Sequence, residues 1–130
     1  MNLLRIKVVG ADAVYHCIGR IVSGELLLGD PEKEAMRKLM WRLADFCGVE
    51  VINYCFMSNH VHLLLRVPRP GEISDEEIVR RVIRLYGKRE TWVQNLVRGF
   101  RETGTLASST RRMLCARMGD ISVFMKEFKQ

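Results

Sequence analysis

His60-Val61-His62 is the stretch of this chain best equipped for chemistry. Side chains two apart on an extended strand share a face. The two imidazoles therefore stand side by side, and two neutral imidazole nitrogens turned to one point are the start of a divalent-metal site. The other phase, Val61, Leu63, Leu65 and Val67, is wholly apolar and marks the face to be buried. A bare His-x-His on an amphipathic strand is more often a solvated or hydrogen-bonded pair, so its surroundings must decide.

The third histidine, His16, falls on an earlier extended stretch in phase with Val14, Ile18 and Arg20. That phase favours a satisfied histidine beside the core. The alternative is an approach to the His60/His62 site from a neighbouring strand. Tyr15, Tyr54 and Tyr86 are the only tyrosines; the first two read as core or sheet-surface residues, and Tyr86 falls on a helix. Asn59 suits the turn before the histidine strand. Arg20 and Arg66 on strand faces suit phosphate contacts, although a solvated face explains them as well.

Charge is concentrated. The 130 residues carry a net +6, yet residues 80–112 alone carry +7 and the remainder −1. Arg80, Arg81, Arg84, Lys88 and Arg89 head that segment, and Tyr86, Trp92 and Phe100 are interleaved with it. Basic residues with aromatics suit a surface that tracks a nucleic-acid backbone. A solvated helix face is the plainer account of any charge run.

These residues must be positioned by elements the pattern makes plain. Ala13–Ser23 alternates as a strand, and 24–29 reads as a turn or short hairpin. A helix follows, with Asp30 as its cap, Pro31 in the first position, Met36, Leu39, Met40, Leu43 and Cys47 as its buried stripe, and Gly48 as its stop. Strands over 49–57 and 60–67 meet at a Ser58-Asn59 turn. Ser74-Asp-Glu-Glu77 has the form of a capping box and opens a helical insert over about 72–118. Asp120 caps a last helix bearing Ile121, Phe124, Met125 and Phe128.

The expected fold is α+β: a ferredoxin-like antiparallel sheet in the order βαββα, a helical insert after the third strand, and no fourth strand before Gln130. One domain spans 1–130. A hydrophobic fraction of 48% and a charged fraction of 28% suit a soluble globular protein. No apolar run approaches a membrane span and no secretory pattern opens the chain. Cys17, Cys47, Cys55 and Cys115 are widely spaced, as for free thiols in the cytoplasm.

Three blocks carry a resemblance: Tyr15-His-Cys-Ile-Gly-Arg20, Met57-Ser-Asn-His-Val-His-Leu-Leu-Leu65, and Gly119-Asp-Ile-Ser-Val-Phe-Met-Lys126. In this order they resemble the first strand, the His-hydrophobic-His strand and the second core helix of the REP-associated tyrosine transposases, within the single-tyrosine HUH transposase superfamily. The resemblance implies metal-dependent cutting and rejoining of single-stranded, hairpin-forming DNA through a phosphotyrosine. It implies Mg²⁺ or Mn²⁺ on His60 and His62, and a homodimer. The family's nucleophilic tyrosine, and a further polar metal ligand, would fall beyond Gln130. Hence the expectation of a shortened transposase, inactive by itself. Two alternatives stand beside it: a non-catalytic single-stranded nucleic-acid-binding or regulatory protein derived from such an enzyme, and an unrelated His-x-His metallohydrolase, for which further acidic or histidine ligands close by are lacking.

Overall fold

A computed structural model describes residues 11–20, 29–69 and 71–129. Among them the elements run β1 (Ala13–Arg20), α1 (Asp30–Cys47), β2 (Glu50–Phe56), β3 (His60–Val67), α2 (Asp75–Tyr86), α3 (Thr91–Thr103), α4 (Ser108–Cys115) and α5 (Ile121–Phe128). The strands form an antiparallel sheet in the order β1-β3-β2. This is the α+β class, with the strand arrangement of a ferredoxin-like βαββ unit. The expected end of the first strand and the turn after it fall on 21–28, outside the described residues.

Local chemistry accounts for the boundaries, with two amendments. Gly29, not Asp30, is the N-cap of α1, and no side chain caps it. Asp30 and Glu32 instead lie in the first turn, where carboxylates meet the positive end of the helix dipole. Gly48 ends α1 at φ 70°, a left-handed conformation that costs a residue with a Cβ much more than glycine. At α2, the Ser74 hydroxyl accepts from the Glu77 N–H at 3.1 Å. The reciprocal half of the capping box is absent, because the Glu77 carboxylate turns to Arg80 at 2.5 Å. The Asp120 carboxylate accepts from the N–H groups of Ser122 and Val123 and starts α5 as its sequence anticipates.

The β2–β3 turn is tight: the Met57 N–H donates to the His60 carbonyl at 2.8 Å around Ser58-Asn59. Farther along β2 the register shifts between Val51 and Asn53, so that Ile52 is an extra residue. Such a bulge reverses which face the following residues occupy. Tyr54 and Phe56 turn towards the core, and Asn53 and Cys55 turn away from it.

One core lies on one side of the sheet. Val61, Leu63 and Leu65 of β3 pack with Met40, Leu43 and Phe46 of α1, Ile78 and Val82 of α2, Val93 of α3, and Phe124 and Phe128 of α5. The stripe expected on α5 is buried in full, whereas Met36 and Leu39 of α1 are only partly covered. No helix among the described residues is long and apolar enough to cross a membrane.

Candidate functional site on the uncovered face of the sheet

The face opposite the core carries no helix among the described residues, and Val14 and Ile18 on it stay 57% and 48% exposed. His60, His62, Leu64 and Arg66 of β3 occupy it, half-buried. The β1 register sets Arg20 across from His60 and Ile18 across from His62, and β2 sets Cys55 across from His62. Both histidines thus sit on the central strand, towards the end of the face where Arg20 lies.

Each histidine has a partner. His60 Nδ1 lies 2.7 Å from Asn59 Oδ1. With the carbonyl oxygen accepting, Nδ1 carries the proton, and in the neutral ring Nε2 keeps the lone pair. Asn59 therefore orients the ring besides making the turn. His62 Nδ1 faces His16 Nε2 at 3.4 Å. His16 is exposed on this face and not beside the core, the place that the phase of β1 favours. A cavity of about 290 Å³ opens beside the pair, lined by Asn53, Tyr54, Cys55 and Leu64.

The donor set fits a divalent cation with two protein imidazoles, its other positions left to water or phosphate oxygens. No group of three or more His, Cys, Asp or Glu side chains among the described residues is placed to hold a metal.

The arginines divide sharply. Arg66 bridges the strands, 2.6 Å from Asp12 and 2.8 Å from Glu50. The Asp12 carboxyl is held below its ordinary pKa by the Arg69 backbone N–H and by Arg66. Arg80 binds Glu77 and, at 3.0 Å, Asp45. Arg84 stands 3.7 Å from Asp45, and Arg81 donates to the Phe46 carbonyl. These three fasten α2 to the end of α1. Arg111 is likewise taken up by Asp75 at 2.6 Å. Arg20, Lys88 and Arg89 make no ion pair with the described residues. Lys88 borders a groove of about 430 Å³ shared with Arg98 and Arg101. Neither arginine stands out within the basic segment of the sequence, because only folding shows which cations lack a carboxylate.

The insert packs on the core side through Ile78, Val82 and Val93, so its cations and the histidines occupy different sides of the sheet. The tyrosines also lie off the histidine face. Tyr15 is in the phase of buried Cys17, and Tyr54 packs on Trp41 and Phe56. Tyr86 belongs to the helices, edge-on to Phe46 and Trp92 with its hydroxyl accepting from Arg117.

An antiparallel sheet backed by helices on one side, with paired histidines on its bare face, defines an α+β domain. Residues 11–95, from β1 into α3, match the family described as IS200-like transposases, and the chain belongs to that family. Transposases act on DNA, which is therefore the partner the family implies. No curated protein and no solved structure matches the chain.

Proposed function

We propose that this chain is a metal-binding, single-stranded-DNA-binding transposase domain of the HUH type, and that it does not cleave DNA with the tyrosines it carries. The observation that carries this reading is the His60/His62 pair on the uncovered face, beside Arg20, in a member of the IS200-like transposase family. His60 and His62 hold Mg²⁺ or Mn²⁺ through ring nitrogens. The metal supplies neutralisation of charge on the phosphoryl oxygens. Arg20, across the ladder from His60, binds the neighbouring phosphate. Asn59 keeps the His60 ring in the orientation that binding needs.

Hairpin-forming single strands are the substrate class in this reading. A homodimer, which the resemblance to the single-tyrosine transposases implies, belongs to the same reading. Four cysteines without a disulfide among the described residues, and a DNA partner, suit the cytoplasm. The second reading, a non-catalytic nucleic-acid-binding protein, is favoured by Tyr15 and Tyr54, which pack against the core, and by Tyr86, which lies among the helices.

Titration with Mn²⁺, followed by histidine NMR line broadening, tests the site. Selective broadening of His60 and His62, lost in the His60→Ala/His62→Ala double variant, is expected. Equal broadening in that variant defeats the assignment. A covalent DNA adduct mapped to any of the three tyrosines would overturn the non-cleaving reading.

A further inference from the structure

Resting on the metal site just proposed, the geometry points to His16 as the positioning residue of His62: it accepts the Nδ1 proton of that ring and so leaves Nε2 of His62 free for the cation. A neutral imidazole has one N–H and one lone pair. At a 3.4 Å contact between His16 Nε2 and His62 Nδ1, one ring donates and the other accepts. If His16 donates, the His62 proton sits on Nε2 and closes that nitrogen to a metal. If His62 donates, its Nε2 is a lone pair, matching the Nε2 that Asn59 leaves open on His60. Only the second arrangement gives both members of the pair the same free nitrogen.

His16 is not itself a third ligand in this arrangement. The ring centroids stand 5.6 Å apart and the facing nitrogens 3.4 Å apart. The difference is about two ring radii, so the nitrogens point at each other and not at a third position. The fold creates the contact by register. His16 pairs with Leu64, which makes His62 its diagonal cross-strand neighbour, within reach of a long side chain. The face is exposed at His16, so the residue has no packing duty there.

Hydrogen-bond partners of metal-binding histidines typically govern affinity by 10–100-fold. Accordingly, His16→Ala is expected to weaken Mn²⁺ binding to the full chain about tenfold, read by electron paramagnetic resonance of free Mn²⁺. His16→Gln, whose amide oxygen can accept the same proton, restores affinity close to that of the unaltered protein. Nitrogen-15 spectra of the metal-free protein should show His62 protonated on Nδ1, and on Nε2 in His16→Ala. Loss of affinity in both variants would make His16 a direct ligand and overturn the inference. So would an Nε2-protonated His62 in the unaltered chain. The tautomer needs no metal, so it tests the His16 contact separately from the metal site: an unaltered chain that binds no Mn²⁺ defeats only the function proposed above.

Discussion

Tyr15, Cys17, Val61, Leu63 and Leu65 lie on the sheet face beneath the helices, while Val14, His16, Ile18, His60 and His62 lie on the face that none covers. The two surfaces come from the same strands and differ by one step in phase. On the covered face the strand side chains are committed to packing, and several arginines around it are bound internally: Arg80 to Asp45 and Glu77, Arg111 to Asp75. The uncovered face holds its polar groups in local pairs, Asn59 with His60 and His16 with His62, which orient a ring and leave a nitrogen for something else. Charge density along the chain is thus a poor guide to which cations the fold leaves without a carboxylate. The most basic segment spends several of its arginines holding helices together, while Arg20 on the histidine face forms no ion pair with the described residues.

Truncating the two sides should break this comparison or sharpen it, and the largest difference is in stability. Phe124 is fully buried, so Phe124→Ala should cost about 3–5 kcal/mol in chemical denaturation. Ile18→Thr, on the open face, should change stability by no more than about 0.5 kcal/mol. Comparable losses would mean that something covers that face in solution.

The next difference is in DNA binding. Lys88, Arg98 and Arg101 border one groove and form no ion pair with the described residues. Their joint replacement by Ala should reduce the salt dependence of single-stranded-DNA affinity, by about 0.7 in log–log slope for each phosphate no longer neutralised. Replacing Arg80 and Arg84, which are tied to Asp45, should leave the slope nearly unchanged and lower the melting temperature instead. The opposite assignment of slopes would make α2 the phosphate-binding surface.

The smallest effect is a difference in thiol reactivity. Burial pushes the Cys47 thiol up to about 12, from an ordinary 9.0. The reactive form is the thiolate, so raising the pH to 9 leaves Cys47 protonated, and only a pH approaching 12 ionises it. Cys55 is exposed on the histidine side. Alkylation at pH 8 followed by peptide mass mapping should therefore mark Cys55 well before Cys47. Equal rates would show that the two faces exchange exposure.

Much of this architecture is legible in the sequence because it follows from short-range periodicity. The alternation in His60–Val67 by itself sorts both histidines from Val61, Leu63 and Leu65, and every one of those assignments holds. Gly48, Ser74 and Asp120 set helix ends through bonds to backbone groups a few residues away. The blocks beginning at Tyr15 and Met57 fall within residues 11–95, which match the transposase family, while the block at Gly119 lies outside that match.

Tertiary structure decided the remainder, for reasons of distance along the chain and of register. Arg80 meets Asp45 from 35 residues away and His16 meets His62 from 46, separations at which no local pattern reports a partner. The bulge at Ile52 acts more subtly. Uninterrupted alternation from Glu50 would have put Tyr54 on the histidine face and Cys55 in the core. One extra residue exchanges them, taking a tyrosine away from the metal-site candidate and setting a thiol across from His62. That exchange is fixed by how β2 pairs with β3, because a bulge is a property of two strands together and leaves no mark in either one alone.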